Sequence, residues 1–275
     1  MAARCVGCTS ECVRCSYGHA LSWHRTTRLG VIVRRLVASL ALVSALLLGG
    51  CTTMVSDGSG ARGSGRMASR DYAETGFSAL DIDSAFAVTV TQGDAFKVTV
   101  KTDDNLFDYV SVTQSGGTLR IAFDTHDVQS FRSTRQEATI TMPSLTAVRL
   151  NGASRLNMVG FGPEAAFDAN LDGASTLSGE VRATEIKLQS NGSSRTDLAG
   201  SGSSLALNAD GSSTVELGRL ALEQAAVALN GSSRATLAVT GSLDYDLDGN
   251  SQLTYSGNPT LGQTRCEGSS RVIRR

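Results

Sequence analysis

Apolar and polar residues alternate along the second half of the chain in a pattern that returns every 18–21 residues. Each repeat centres on a glycine, and these glycines are Gly152, Gly173, Gly192, Gly211, Gly231, Gly249 and Gly268. The residues two and four places before each glycine are mostly aliphatic, as are those four and six places after it. Leu150, Leu171, Leu156 and Leu177 are typical. A two-residue alternation of this kind indicates strands with one buried face.

A polar motif surrounds every glycine and predicts a sharp turn between strands. It reads Asn-Gly-Ser-Ser-Arg at Asn191–Arg195 and at Asn230–Arg234. If the two-residue alternation of the strands continues through the turn, the glycine and the serine two places after it both face inward, where only small side chains fit. The serine hydroxyls are expected to hydrogen-bond along the stack or to the backbone of the corner. The short fixed period predicts an all-β fold, a right-handed parallel β-helix or β-solenoid with about seven coils of ~19–20 residues.

The outward positions of the repeat carry charges that alternate from coil to coil. Three places after the glycine, every second coil carries an arginine, and these are Arg155, Arg195, Arg234 and Arg271. Immediately before the glycine, the coils between carry an aspartate, and these are Asp172, Asp210 and Asp248. Neighbouring coils lie about 4.8 Å apart, so alternation keeps like charges roughly 10 Å from one another. One interpretation is that the charges set the register and keep the protein soluble; the other is that they bind a ligand.

Short alternating stretches precede the repeats. The sequence predicts a helical turn near 103–107 and strands near 79–83, 86–91, 96–101, 110–112, 119–123 and 138–142. Their spacing is irregular, so residues 76–148 are expected to form a β cap over a repeat region that spans 149–275. The two parts together make one domain, 76–275.

The first 75 residues have the features of export and anchoring signals. Two arginines precede an apolar run from Leu36 to Leu48, which has the length of a signal-peptide core and is short for a transmembrane helix. The run leads into Leu-Gly-Gly-Cys, which is similar to the lipobox of bacterial lipoproteins, so Cys51 is the predicted lipid attachment residue. Residues 1–50 are assigned to a signal peptide with a doubtful N-terminal extension, and the Gly/Ser-rich residues 51–75 to a linker.

Composition narrows the classes of function. From Cys51 onward the chain holds 19 Lys and Arg against 25 Asp and Glu, a net charge near −6 that argues against nucleic-acid binding. Two CxxC pairs near the N-terminus are separated by only three residues, far fewer than in a zinc ribbon, so neither a metal nor a cofactor is predicted. Cys266 occupies an inward position and is expected to be buried. His126 is the only histidine after the signal segment, and no catalytic constellation is present in the sequence.

The order of these features resembles one family of bacterial envelope proteins. After the lipobox and linker come Phe77-x-x-Leu80, Phe86-x-Val-x-Val-x-Gln-Gly93, Thr118-Leu-x-Ile121, Met142-Pro-x-Leu145 and the Gly-x-Ser repeats. In this order they are similar to the Putative auto-transporter adhesin, head GIN domain family. The resemblance implies a parallel β-solenoid and a location outside the cytoplasm, and it brings no catalytic motif.

Three functions stay open on the sequence. The preferred hypothesis is a non-enzymatic lipoprotein, held in the outer membrane by its lipid, that binds a surface, a polysaccharide or an envelope protein. Solenoids present long uniform faces, which suit repetitive ligands. The second is a structural or scaffolding role in the envelope, and a homo-oligomer is compatible with either. The third is a β-helical enzyme acting on polysaccharide, which the equal coils and the scarcity of histidine disfavour.

Overall fold

The structure is a computed structural model that describes residues 60–126 and 130–275. These residues form 19 strands and one 3-10 helix, at Asp104–Tyr109, which confirms the predicted helical turn. The strands before the repeats are β1 (Gly60–Arg62), β2 (Met67–Tyr72), β3 (Ala79–Ile82), β4 (Ala87–Gln92), β5 (Lys97–Asp103), β6 (Val110–Ser115), β7 (Thr118–Phe123), β8 (Ser130–Arg132) and β9 (Glu137–Met142). The strands of the repeats are β10 (Ala147–Leu150), β11 (Arg155–Val159), β12 (Pro163–Leu171), β13 (Thr176–Ser190), β14 (Arg195–Ala209), β15 (Thr214–Leu229), β16 (Arg234–Leu247), β17 (Gln252–Ser256), β18 (Thr260–Cys266) and β19 (Arg271–Arg274).

The predictions for the N-terminal segment concern residues that the structure does not describe. The signal peptide and the lipid attachment residue Cys51 lie outside the described residues. Within the described part, no helix is long and apolar enough to cross a membrane.

The repeats stack as coils of parallel strands. Strands β10 and β11 pair with β12 and β13, and each later strand pairs in parallel with the strand that lies one coil further on. Equivalent positions of the repeat are direct partners: Leu177, Thr196 and Val215 each stand four places after their glycine and follow one another across the sheet. The predicted β-solenoid of about seven turns is confirmed.

Inward positions of successive coils form one continuous apolar core. Its leucines are each 2% exposed or less, and examples are Leu156, Leu171, Leu177, Leu205, Leu229, Leu237, Leu247 and Leu253. Burial of one such side chain contributes about 1.5–3 kcal/mol, which makes this core the main source of stability. The alternation read from the sequence therefore assigns the buried face of the repeat strands correctly.

The turn of each repeat depends on glycine geometry, but the prediction that these glycines point inward is wrong. They are exposed, and Gly211 has a φ of 78°, which L side chains rarely adopt. A Cβ on Gly211 would lie 2.6 Å from the carbonyl oxygen of Gly192, one coil earlier. The next residue, Ser212, donates its N–H to that same oxygen at 2.7 Å. Successive turns therefore approach so closely that only glycine fits.

The serine two places after each glycine is buried, as predicted. This column comprises Ser154, Ser175, Ser194, Ser213, Ser233, Ser251 and Ser270, and each member is 2% exposed or less. The hydroxyl of Ser213 lies 2.8 Å from the carbonyl oxygen of Ser190 and 2.9 Å from that of Asp210. Ser194 connects this group, with hydroxyl–hydroxyl distances of 2.8 Å to Ser190 and 3.3 Å to Ser213. The hydroxyl of Ser233, in contrast, is buried without a hydrogen-bond partner.

The β cap begins earlier than predicted. Strands β1 and β2 lie inside the segment 51–75 that was assigned to a linker, and β2 pairs antiparallel with β5. Strands β1 and β2 are part of the cap because Ala61, Ala68 and Tyr72 pack against the core, a contact that the Gly/Ser-rich composition does not reveal. Strands β3 and β4 pair in parallel with β10 and β11, so the cap continues the columns of the solenoid.

The last coil is open on its far edge. Among the described residues, no strand covers β18, and all seven of its residues are exposed. Cys266 pairs in register with the buried Leu247, yet it is exposed, so its predicted burial is wrong. The position points toward the core, but no further coil covers it; its thiol donates to the carbonyl oxygen of Ser270 at 3.3 Å.

Candidate ligand-binding ladder

The four repeat arginines form a straight column on the solenoid, named here the arginine ladder. In consecutive coils the column reads Arg155, Thr176, Arg195, Thr214, Arg234, Gln252 and Arg271, each residue the direct register partner of the next. All four arginines are exposed. Their backbone is fixed at the coil spacing, since Arg195 and Arg234 donate their N–H groups to the serine carbonyls of the preceding coil at 2.9 Å. Consecutive arginines are therefore about 10 Å apart, twice the strand spacing.

The aspartates of the repeat bond to backbone and amide groups instead of arginine. Asp172 accepts a hydrogen bond from the side-chain amide of Asn191 at 2.9 Å. Asp210 and Asp248 each accept the N–H of the glycine that follows, at 2.6 Å. In the part of the chain that the structure describes, no ion pair within 4.0 Å joins the arginine ladder to these aspartates. The coil register is held by the backbone ladder and the glycine turns.

A second outward column lies beside the arginine ladder, two residues further along each strand. It comprises Asn157, Ser178, Asp197, Glu216 and Thr236. The next register partner, Thr254, is buried. The Ser178 hydroxyl donates to the Asn157 side-chain oxygen at 3.1 Å, and Asp197 forms an ion pair with Arg219 at 2.8 Å. This column does not stand out in the sequence, because its members share no residue type. The available signal was that each member stands five places after the glycine of its repeat, a position that faces outward.

A polar groove of about 370 Å³ lies where the cap meets the first coils. It is lined by the small residues Ala79 and Ala147 and by the polar residues Asp81, Arg149 and Asn170. The side-chain oxygen of Asn170 is buried without a hydrogen-bond partner. No sequence pattern pointed to this groove, since its residues come from strands that are far apart in the chain.

The buried carboxylate of the cap joins two loops. Asp103 is fully buried, and it accepts hydrogen bonds from the Thr134 N–H at 2.7 Å, the Thr134 hydroxyl at 2.9 Å and the Gly65 N–H at 2.8 Å. Burial alone raises the pKa of Asp103, but the hydrogen bonds from Thr134 and Gly65 outweigh it and bring the pKa below its ordinary value. The ionised carboxylate therefore fastens the loop after β1 to the loop after β8.

Residues 60–126 and 130–275 contain no cluster of side chains suited to bind a metal ion. Within those ranges, no three or more His, Cys, Asp or Glu side chains are grouped so as to hold a metal ion. The repeat aspartates lie in alternate coils and do not form a carboxylate pair, since two coils separate each from the next.

Solved structures share this fold at low sequence identity. A candidate adhesin from Bacteroides fragilis NCTC 9343 is 20% identical, with a TM-score of 0.74 over 78% of this chain and 100% of its own. A candidate lipid-binding protein from Parabacteroides distasonis ATCC 8503 is 17% identical, with a TM-score of 0.65 over 78% and 99%. A candidate adhesin from Parabacteroides merdae ATCC 43184 is 17% identical, with a TM-score of 0.61 over 79% and 99%. At these identities the likeness establishes the fold.

The family assignment rests on the sequence. No protein of curated function matches it. The family model described as Putative auto-transporter adhesin, head GIN domain matches residues 76–259, more than half of the chain and all but the last coil of the solenoid. The resemblance noted from the motif order is thereby confirmed: this chain belongs to the Putative auto-transporter adhesin, head GIN domain family.

Proposed function

We propose that this protein is a non-enzymatic lipoprotein of the bacterial outer membrane whose solenoid binds an acidic polysaccharide along the arginine ladder. One observation carries the proposal. Four exposed arginines share one register at every second coil, and within the described residues none is within 4.0 Å of a carboxylate. Guanidinium groups without a carboxylate partner are well suited to bind carboxylates or sulfates of a ligand.

The spacing of the ladder favours a polymer over a small anion. Arginines in alternate coils are about 10 Å apart, which is close to the length of one disaccharide in an extended polysaccharide. A polymer with at least one acidic sugar per disaccharide would therefore place an acidic group beside each arginine of the ladder. An exposed ion pair contributes only about 0–1 kcal/mol, so useful affinity requires several contacts made by one chain.

The neighbouring column supports the same ligand class. The hydroxyls of Ser178 and Thr236 and the amide of Asn157 lie beside the arginines, where they can hydrogen-bond to sugar hydroxyls. Asp197 is already paired with Arg219, so it adds little repulsion toward an acidic sugar. Glu216 adds one further carboxylate to this column, so its neutral hydrogen-bonding groups are those of Asn157, Ser178 and Thr236.

The cellular location is proposed from the N-terminal signals. Cys51 ends a lipobox-like segment and is followed by threonine rather than by the aspartate that retains lipoproteins in the inner membrane. The adhesin-like family and its solved relatives support an envelope location. We expect labelled palmitate to be incorporated into the wild-type protein and not into Cys51→Ala. Equal labelling of both proteins would contradict the anchor.

Binding is tested with polygalacturonate, a linear uronic acid polymer, and with neutral dextran as the control polymer. The full chain carries Cys51→Ala so that no lipid contributes. We expect the wild-type ladder to bind polygalacturonate but not dextran, and the double variant Arg195→Gln/Arg234→Gln to lose at least tenfold in affinity with a shallower salt dependence.

The matched control is Arg182→Gln, an exposed arginine of β13 that lies outside the ladder. It should bind polygalacturonate within about twofold of wild type. If Arg182→Gln loses as much affinity as the double ladder variant, binding is a matter of net charge and the ladder is not the site. If wild type binds neither polymer, the scaffolding alternative gains support.

A further inference from the structure

A separate pair of arginines lies at the N-terminal edge of the cap. Strands β1 and β8 form a two-stranded parallel sheet apart from the solenoid, and Arg62 is the direct register partner of Arg132. Both side chains are exposed. Like charges directly opposite on neighbouring strands destabilise a sheet, and a sheet of two three-residue strands has little stability of its own. This pairing therefore requires an explanation.

The other arginines of this region are already engaged. Arg66 forms an ion pair with Asp104 at 3.0 Å, and Arg135 forms one with Glu137 at 3.4 Å. Arg70 lies 4.7 Å over the ring of Phe107. No carboxylate within 4.0 Å of Arg62 or Arg132 is found in the described residues. Arg62 and Arg132 therefore have guanidinium groups without a carboxylate partner in this part of the structure.

The two arginines line one concave site. A pocket of about 490 Å³ is lined by Arg62, Gly63, Ser64, Gly65, Arg132, Ser133 and Thr134. Its loops are held in place from below, since the buried Asp103 accepts hydrogen bonds from both Gly65 and Thr134. The N–H groups of Gly63 and Ser64 are also taken, by the Arg132 carbonyl oxygen at 2.8 Å and the Asn105 side-chain oxygen at 2.9 Å. The two guanidinium groups have donors that are available to a ligand.

We propose that Arg62 and Arg132 bind one phosphate group between them, and that this contact clamps β1 to β8. Each guanidinium presents a planar fork of N–H donors that fits two oxygens of a phosphate. The two arginines and the ionised Asp103 leave a local charge of one positive, which a phosphate anion would neutralise. A bound phosphate would thus convert the unfavourable pairing of two arginines into a bridge between the strands.

The phosphate has two chemical sources, a phospholipid headgroup and a soluble phosphate ester. The position of the pocket favours the headgroup, a step that rests on the lipid anchor proposed above. Gly60 follows Cys51 by nine residues, which span at most about 30 Å when fully extended. Phosphate binding by the two arginines does not depend on the anchor or on the arginine ladder.

The first test measures thermal unfolding of the full chain with Cys51→Ala, with and without inorganic phosphate. Without phosphate, Arg62→Gln should melt at or above the wild-type temperature, because a repulsion is removed. With phosphate, the wild-type melting temperature should rise while those of Arg62→Gln and Arg132→Gln stay unchanged. The control Arg66→Gln, which loses an arginine already paired with Asp104, should keep the phosphate response. A purely structural role for Arg62 predicts a lower melting temperature without phosphate, and that result would overturn the proposal.

The second test separates the two sources. Phosphate affinity measured by calorimetry should fall at least tenfold in Arg62→Gln/Arg132→Gln. Co-sedimentation with phosphatidylglycerol vesicles but not with phosphatidylcholine vesicles, lost in the same double variant, assigns the site to lipid headgroups. Phosphate protection without vesicle binding assigns it to soluble phosphate esters. Absence of both responses in the wild-type chain refutes the phosphate clamp.

Discussion

Replacing Gly211 by alanine tests the close approach of successive turns. Gly211 has a φ of 78°, and a Cβ there would lie 2.6 Å from the Gly192 carbonyl oxygen. The left-handed conformation costs alanine about 1–2 kcal/mol. Relief of the contact requires the two turns to separate, which weakens the hydrogen bond of 2.7 Å from Ser212 to Gly192, and such a bond contributes about 0.5–1.5 kcal/mol. The free energy of unfolding should therefore fall by roughly 2–3 kcal/mol.

The control is Gly218→Ala in β15. Gly218 is exposed, its φ is not in the left-handed region, and a Cβ there would have its nearest neighbour, the Thr236 methyl group, at 3.4 Å. Alanine in such a strand position is neutral or slightly stabilising. Gly202 does not serve as the control, because it lies in β14 and a Cβ there would lie 2.7 Å from the Ile186 side chain.

Both variants are measured by urea and thermal unfolding with far-UV circular dichroism in one buffer. For a domain of this size a loss of 1 kcal/mol lowers the melting temperature by about 2–4 °C, so Gly211→Ala should melt roughly 4–12 °C below wild type. Gly218→Ala should lie within about 2 °C of wild type. Equal melting temperatures for the two variants would show that the turns do not need the room that glycine leaves, and would refute the account of the turn.

Three further predictions concern charge, buried hydroxyls and pH. Thr214→Arg places like charges in three consecutive coils, so stability should fall, and fall further at low salt. Ser213→Ala removes a buried hydroxyl whose single proton lies between two carbonyl oxygens, and it should cost about 1–2 kcal/mol. Ser233→Ala, which removes a hydroxyl without a partner, should cost less than about 0.5 kcal/mol. Asp103 has a lowered pKa in the folded state, so it stabilises the fold above its unfolded pKa of about 4, and this contribution is lost as pH falls through the folded pKa. Asp103→Asn should therefore lower the free energy of unfolding at neutral pH and flatten its dependence on pH in the acid range.

Each of these has a result that would contradict it. An unchanged melting temperature of Thr214→Arg at low salt would mean that repulsion between arginines of neighbouring coils does not affect stability. Equal losses in the two serine variants would show that volume, not hydrogen bonding, decides the cost. An acid unfolding curve of Asp103→Asn parallel to that of wild type would remove Asp103 from the pH dependence.

Translational symmetry made the solenoid readable from the sequence. Each coil rests on a near copy of itself, so one period of alternation predicts the buried leucines, the buried serines and the register of the arginine ladder together. The glycines were placed on the wrong side because strand parity was extended through a turn. Gly211 has a positive φ, and a chain that leaves extended geometry no longer alternates its side chains by position.

Contacts between distant segments were beyond sequence reasoning. The pairing of β1 with β8 joins residues 60–62 to 130–132, and nothing in either segment's composition indicates the other. The groove near Asn170 likewise depends on strands from the cap and the repeats together. Cys266 was wrong for a different reason. Its inward position in the repeat was predicted correctly, but a side chain at that position is buried only where another coil packs over it.

The alternation of arginine with threonine or glutamine makes the pair of coils, not the single coil, the unit by which such a protein can be lengthened. Insertion of one coil would place two arginine coils side by side, or would leave two coils without arginine between them. Every arginine beyond the insertion would then lie in the wrong coil of the alternation. Insertion of two coils adds one arginine and leaves the phase intact. A solenoid of this design should therefore grow and shrink over evolutionary time in steps of about 40 residues, twice the repeat length.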